Sequence, residues 1–340
     1  MNGGSRRRPT SFDVAERAGV SQPTVSRALS GSPAIAESTR RKVVEAAEAL
    51  GYFVDERAAR LRRGSTGTLA VVVICREGDS ASSINPFAYA LLGSVCVAAS
   101  QRGFETLVSF QARADDFFGH YQEQGRADGL VVIGTTTNGQ AWEYFRGLES
   151  DSRKVAYWGS PFDELEWVRS DNRAAGRLAV EHLLAAGYRR PCFLGALGTP
   201  QVQFTERYEG YAEAMRAAGL KPCLAPTVNA PTREEEGRRA ARRLIERGED
   251  VDAVFAACDA MALGAIEAFA AADIAVPDAV GVMGFDDLVA GRFSRPPLTT
   301  IAPDPAEAGV ALVEAVLEGG DAKPRKRVPV SLIRRGSTAR

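Results

Sequence analysis

The chain has 340 residues, 45% of them hydrophobic and 25% charged, which is enough apolar material for two or three packed domains and excludes a disordered chain. Its net charge of −1 conceals an asymmetry: residues 1–66 carry 12 Lys and Arg against 7 Asp and Glu, a net +5, and the remainder carries 30 against 36, a net −6. Any polyanionic partner is therefore expected at the front end. The five cysteines (Cys75, Cys96, Cys192, Cys223, Cys258) are odd in number and lack a C-x-x-C pair, so neither a disulfide framework nor a zinc site is expected, and a reducing compartment fits. Arg6, Arg7 and Arg8 are followed by no apolar segment, and the longest apolar run, Leu69 to Cys75, is too short to span a bilayer. A cytoplasmic protein without membrane contact is expected.

Residues 1–54 read as three short helices. Val14, Ala15, Ala18, Val25, Leu29, Val43, Ala47 and Leu50 fall at helical spacing in three segments separated by turn signals, enough for a small core. Thr10 or Ser11 can cap the first helix, Gly19 can end it in a left-handed conformation, and Ser21 can cap the second at once. Pro23 sits in the first turn, where its missing N–H costs little, and Ser30-Gly31 supplies the stop. Helices joined this tightly cross steeply, as in a helix-turn-helix that enters the major groove of DNA. Gln22, Thr24, Ser26 and Arg27 would then be presented by the second helix, with Gln22 and Arg27 able to reach base edges. Thr10, Ser21 and Thr24 suit phosphates, which position without reading sequence. The plainer alternative is a helical hairpin whose polar face is only solvated.

The string D-V-A-E-R-A-G-V-S-Q-P-T-V-S-R-A-L, ending at Leu29, closely resembles the LacI/GalR family of bacterial transcription regulators. The likeness continues through Thr39-Arg40-Arg41-Lys42-Val43 and Gly51-Tyr52, and implies that Gln22, Pro23 and Arg27 read bases. Ala36 departs from the family's capping Ser, and loss of such a cap typically costs ~1 kcal/mol.

Residues 55–67 form the next segment. Asp55 to Arg63 (D-E-R-A-A-R-L-R-R) has helix formers but is about two turns long, marginal alone in water. The resemblance implies a hinge helix in which Ala58 and Leu61 enter the minor groove as an apolar wedge while arginines neutralise phosphates; a solvated basic linker is the alternative. Val54 and Asp55 replace the family's Pro-Asn.

Residues 68–340 alternate apolar β-rich runs with helical patterns: Leu69 to Cys75, Thr106 to Ser109, Leu130 to Ile133, Val155 to Trp158, Cys192 to Gly195, Ala253 to Ala257 and Val280 to Phe285. This predicts an α/β core of two doubly wound parallel-sheet subdomains, about 68–168 plus 300–322 and about 169–299 plus 323–340, with a ligand lodged between them beyond the strand ends. No G-x-G-x-x-G, G-x-S-x-G or phosphate-loop signature occurs, and His120 and His182 are isolated, so neither catalysis nor a cofactor or metal is expected.

The family likeness spans this core through Asn85-Pro86-Phe87, Ser170-Asp171-Asn172, Arg207-Tyr208-Glu209-Gly210-Tyr211, Asp259 to Gly264, Gly284-Phe285-Asp286-Asp287 and Pro296 to Thr300. It implies that Arg207 and Asp286 hold the effector, a role suited to a five-donor fork and an acceptor-only carboxylate; structural salt bridges are the alternative. Phe87, Trp158 and Phe285 could lie against a sugar ring or simply be core. Asp171 is equally an N-cap. Thr232, Cys258 and Gly159 depart from frequent family residues, so effector specificity cannot be inherited. No heptads follow the C-terminal R-V-P-V-S-L-I-R-R, which predicts a homodimer on near-palindromic double-stranded operator DNA. The expected function is a repressor under allosteric control by a small-molecule effector, a carbohydrate. The alternatives are an exported solute-binding protein and an architectural DNA binder without ligand response.

Overall fold

A computed structural model describes residues 9–53, 64–75, 84–134, 138–148, 154–198, 202–318 and 325–340. The chain divides into two compact units, Met1–Thr66 and Gly67–Arg340. The expected hinge, with Ala58 and Leu61, lies outside the described residues.

In the first unit, α1 (Ser11–Ala18), α2 (Gln22–Leu29) and α3 (Glu37–Leu50) close around Val14, Val25 and Val43, which are wholly buried, with Ala15, Ala28, Ala46 and Ala47 between them. Small residues let such short helices approach closely. Thr10 and Asp13 form a reciprocal capping box at the start of α1, and Gly19 ends it at φ 66°, a conformation that costs glycine nothing. Ser21 precedes α2 but makes no side-chain cap there; its hydroxyl instead pairs with that of Thr24 at 2.8 Å. Ala36 leaves α3 without a side-chain cap, as its lack of an acceptor requires.

The second unit contains two sheets. The first has the order β10-β5-β4-β3-β1-β2, built from Arg325–Val328, Trp167–Ser170, Val155–Trp158, Gly129–Gly134, Thr68–Ile74 and Glu105–Gln111. Every pairing in it is parallel. The second has the order β11-β9-β8-β7-β6, built from Val330–Ile333, Thr299–Pro303, Gly281–Phe285, Ala253–Ala256 and Pro191–Leu194. Only β11 runs antiparallel. Continuous burial along β1, β3 and β8 explains their unbroken apolar runs, since helices cover both faces of a parallel sheet.

The chain crosses between the sheets three times, after β5, after β9 and after β10. The expected partition therefore needs correcting at both of its returning segments. Residues 299–303 pair in the second sheet, and residues 325–328 pair in the first. Edge position explains why β10 escaped notice: Arg325, Lys326 and Arg327 are charged, and an edge strand needs backbone pairing but little apolar alternation. The cysteine reading is corrected as well. Cys192 in β6 is disulfide-bonded to Cys223, 31 residues on, because residues 223–225 run beside β6 through Phe193 N–H to Cys223 O (3.0 Å) and Ala225 N–H to Phe193 O (2.8 Å). No sequence spacing signals that pairing. Cys75, Cys96 and Cys258 lie outside that disulfide.

Among the described residues the remaining α-helices are α4 (Pro86–Gln101), α5 (Gly139–Arg146), α6 (Asn172–Ala185), α7 (Val202–Ala217), α8 (Arg233–Glu246), α9 (Asp259–Ala271), α10 (Val289–Phe293) and α11 (Pro305–Glu318). Three pairs meet backbone to backbone, one of them α4 with α11 through Gly309. A Cβ on Gly210 would lie 2.0 Å from Arg173 O of α6, and one on Gly264 would lie 1.9 Å from Glu234 O of α8. These contacts explain the glycines of the Arg207–Tyr211 and Asp259–Gly264 strings, and they fix α7 and α9 against their neighbours.

Alanine normally favours a helix over glycine by about 1 kcal/mol, so the sign of the change is diagnostic. Gly264→Ala is expected to lower stability by about 1–3 kcal/mol through overpacking, read as a lower midpoint in thermal unfolding followed by circular dichroism. A higher midpoint would mean that α8 and α9 are not in backbone contact.

Candidate functional site

The surface expected to meet DNA is built on α1 and α2. Ser21, Pro23, Ser26 and Arg27 are exposed, whereas Gln22 and Thr24 are half-buried. The Gln22 amide donates to Ser11 Oγ at 3.2 Å, and the Thr10 hydroxyl is engaged by Asp13 Oδ2 at 2.7 Å. Thr10 is thus a capping residue first, and a phosphate contact must share its hydroxyl. Among the expected DNA-facing residues of α2, Arg27 is the exposed cation at the end of the helix, where positive charge also complements the helix dipole.

The second site is a cavity of about 610 Å³ bounded by both sheets. It lies at strand carboxyl ends: Ile74 closes β1, Gly134 β3, Trp158 β4, Ser170 β5 and Phe285 β8, and all five line it. Ligands collect there in open α/β sheets because the strands end and the chain turns away, leaving a crevice. Phe87, Trp158, Arg207 and Asp286, singled out from the sequence, all line this one cavity. Phe87 and Trp158 pack ring against ring at 5.5 Å between centroids, while both also belong to the core of the first sheet.

Arg207 projects from α7 and is almost wholly buried. Its Nε donates to Asn172 Oδ1 at 3.0 Å and its Nη1 to the carbonyl of Ala257. The guanidinium carbon lies 3.4 Å from the centroid of the Phe285 ring. Two of its three nitrogens and one face are therefore engaged by protein, which orients the rest of the group. Burial lowers its pKa, and the charge on Asp286 opposes that shift.

Asp286 follows β8 at φ 119°, and Asp287 follows at φ 53°. Two successive non-glycine residues at positive φ are strained, typically by about 1–3 kcal/mol each. Anchors on either side hold the turn. Asp286 N–H donates to Ile301 O at 2.9 Å, the Asp287 carboxylate accepts from Arg292 (2.7 Å) and Arg335 (2.5 Å), and Leu288 N–H donates to Asp259 Oδ2 at 2.7 Å. Asp259 is completely buried and also accepts from Thr300 Oγ1 at 2.6 Å. Burial pushes its pKa up to about 6. Burial likewise pushes Asp286 up to about 7, against the pull of Arg207, with the Asp259 charge adding to the rise and an Asn85 hydrogen bond opposing it.

Sequence reasoning missed the roles of Asn172, Asp259 and Gln203. The first two stand inside strings already singled out, but a string does not reveal which member turns inward. Gln203 lines the cavity and donates to Gly159 O at 2.9 Å; a Cβ on Gly159 would meet that amide at 2.3 Å. Asp171 is the N-cap of α6, accepting from Ala174 N–H at 3.0 Å, and Thr232 caps α8. His182 pairs with Thr338 at 2.8 Å, tying α6 to the C-terminal turn. Burial raises the pKa of Cys258 to about 12, which keeps it a thiol. Among the described residues no helix is long and apolar enough to cross a membrane, and no cluster of His, Cys, Asp and Glu could hold a metal ion.

Comparison with known proteins bears on both units. Residues 12–54 match the family of bacterial regulatory proteins of the lacI type, and residues 180–338 match the periplasmic binding protein-like domain. The regulator CelR of Thermobifida fusca is 32% identical over 304 residues, 87% of each chain. MalR of Streptomyces coelicolor, also an HTH-type transcriptional regulator, is 34% identical over 348 residues, 96% of each chain. A solved complex of transcriptional regulator CelR with cellobiose shares the fold with a TM-score of 0.68 at 28% identity, covering 97% of this chain and all of that one. With a lacI-type reader at its front, a two-sheet core following it in sequence and relatives matched over nearly their whole length, the chain belongs to the LacI family of DNA-binding transcriptional regulators.

Proposed function

We propose that the protein is a cytoplasmic repressor that binds operator DNA as a homodimer and is controlled by a sugar held in the cavity between its two sheets. The observation that carries the reading is the convergence of Arg207, Asp286, Phe87 and Trp158 on one cavity of about 610 Å³. A fixed donor fork together with a carboxyl that accepts once ionised matches the paired acceptor and donor character of sugar hydroxyls, and apolar ring faces suit the C–H face of a pyranose. The cellobiose bound by the solved CelR supports the same ligand class.

Homodimerisation is supported by an apolar patch on the first subdomain. Tyr89 and Val97 of α4 and Val108 and Phe110 of β2 are 38%, 59%, 40% and 47% exposed, and Tyr89 and Phe110 are neighbours at 6.1 Å between ring centroids. An edge strand carrying such residues gains by being covered. Two-fold symmetry then places two copies of α2 on a near-palindromic operator. Gln22, Pro23 and Arg27 read bases, Thr10, Ser21 and Thr24 serve phosphates, and Ser26 is presented on the same helix. Ala58 and Leu61 of each hinge enter the minor groove at its centre. Ligand shifts DNA affinity only by its differential affinity for the two arrangements of the core, usually about 1–3 kcal/mol.

Fluorescence anisotropy on the DNA flanking the gene, repeated with cellobiose, maltose, monosaccharides, polyols and nucleobases, tests the reading. A sugar is expected to weaken operator binding about 5-fold to 150-fold, and Arg207→Ala to retain DNA binding while losing that response. Purines moving the curve while every sugar leaves it unchanged would overturn the ligand class. Arg27→Ala is expected to weaken operator binding with the ligand affinity intact.

Asp286 adds two pH dependences. Sugar hydroxyls donate to its ionised form, so binding releases a proton and ligand affinity rises with pH through about 7, then levels. Calorimetry in buffers of different ionisation enthalpy reads that proton. In the free protein the sign is opposite. The folded state keeps a proton up to about 7 that an unfolded Asp loses near 3.8, so this contribution to stability declines as pH rises between those values. Unliganded Asp286→Asn is therefore expected to be more stable than the parent at about pH 8, by about 1–3 kcal/mol, with the gap closing as the medium is acidified.

A further inference from the structure

A second polar centre lies beside Arg207, and the effector contacts described above do not account for it. Glu206, the preceding residue of α7, is buried and its carboxylate accepts three hydrogen bonds. Oε1 takes Arg169 Nη1 at 3.2 Å and Arg327 Nη2 at 2.9 Å, and Oε2 takes Asn172 Nδ2 at 2.7 Å. Arg169 is only 1% exposed; its other donors meet Ser160 O at 3.1 and 2.5 Å, and Nη1 also faces the exposed Asp163 at 3.0 Å. Both arginines lie over the Trp167 ring, at 4.1 and 5.3 Å.

Position gives this cluster its meaning. Arg169 is the penultimate residue of β5 and Arg327 the penultimate residue of β10, each immediately before a point where the chain leaves the first sheet for the second. Glu206 belongs to a helix of the second subdomain. One carboxylate thus ties two of the three crossings to the helix that carries Arg207. Asn172, completely buried at the start of α6, completes the link: its Nδ2 donates to Glu206 and its Oδ1 accepts from Arg207 Nε.

We infer that Glu206 is a positioning residue that sets the orientation of Asn172, and through it couples the effector-facing Arg207 to two of the three crossings between the subdomains. The coupling is one of hydrogen-bond polarity. An amide can present oxygen or nitrogen to either side, and its neighbours decide which. A carboxylate only accepts, so it compels Nδ2 to face Glu206 and leaves Oδ1 for Arg207, which only donates. Glu206→Gln removes that compulsion. The NH2 of the new amide can face Asn172, whose own amide then turns, setting nitrogen against Arg207 Nε in a donor-to-donor mismatch. The inference rests on the reading of the cavity as an effector site, but its test does not require a ligand.

The test compares Glu206→Gln, Asn172→Asp, the double variant and Arg327→Gln, each first checked for cooperative unfolding. The primary readout is the Nε–H signal of Arg207 in the unliganded full-length protein, followed by arginine side-chain nuclear magnetic resonance and assigned with Arg207→Lys. In the parent this hydrogen-bonded, buried proton is expected to exchange slowly. Glu206→Gln is expected to accelerate its exchange at least about tenfold, since opening exposes a proton otherwise protected. The double variant is expected to restore protection, because it exchanges the two groups: the carboxylate now on α6 accepts both from the amide now on α7 and from Arg207. Arg327→Gln keeps Glu206 bonded to Asn172, so the Arg207 signal persists, but loss of one crossing's tie is expected to quicken its exchange about twofold as backbone exchange rises around residues 326–330. That variant also keeps the inference falsifiable if Glu206→Gln fails to fold: Arg207 exchange unchanged in Arg327→Gln, with backbone exchange raised at residues 326–330, would overturn it. Unchanged protection in Glu206→Gln, or additive losses in the double variant, would likewise overturn it.

Cellobiose is the ligand probe in a second arm. Its effect on operator affinity is expected to shrink about fivefold or more in Glu206→Gln and to recover in the double variant. Absence of any cellobiose effect in the parent, with the exchange pattern as expected, would count against the sugar reading and leave the coupling standing.

Discussion

A guanidinium buried at the carboxyl ends of the strands organises this molecule. Arg207 brings a charge out of water, a change that is expensive unless its donors are met and its charge is balanced. The structure answers with Asn172 Oδ1, the Ala257 carbonyl and the Phe285 ring. Each partner arrives on a different element: α6, the end of β7, and the end of β8. The pieces of the second subdomain that surround the cavity are thus registered on one side chain.

The turn after β8 is held in a comparable way. Asp286 and Asp287 occupy positive φ, and neither conformation is one that an aspartate adopts freely. Buried Asp259 holds the turn through the Leu288 N–H and joins it to β9 through Thr300, while Arg335 from beyond β11 reaches Asp287. Strain held by anchors on three other elements leaves a carboxylate lining the cavity in a desolvated setting, where burial raises its proton affinity. A group poised in this way responds strongly to whatever next occupies the cavity.

Much of the organisation was legible in residue patterns. Spacing of Val14, Val25 and Val43, with turn signals at Gly19 and Gly31, specifies the three-helix unit because a core this small has few ways to close. Seven strands announced themselves as apolar runs. The edge strand β10 did not, since Arg325, Lys326 and Arg327 obey pairing rather than burial. The Cys192–Cys223 link was hidden for a related reason: two residues 31 apart meet only because a connecting segment runs beside β6. At the cavity, Arg207, Asp286, Phe87 and Trp158 could be named, but their neighbours Asn172, Asp259 and Gln203 could not.

Residue order was sufficient for the kinds of element, the basic reading unit at the front, the likeness to a regulator family and the chemistry of the principal side chains. Those properties are local, carried by periodicity, caps and short strings. Folding in three dimensions was needed to settle which strands border which sheet, where the chain crosses between subdomains, and which acceptor each buried arginine meets. Those outcomes depend on contacts between residues far apart in the chain. The front helices remain the clearest case of the first kind, although even there the hydroxyl of Thr10 proved to be engaged by Asp13. The cluster of Arg169, Asn172, Glu206, Arg207 and Arg327 is the clearest case of the second. It draws on four elements, and only desolvation at their meeting point makes every donor and acceptor in it matter.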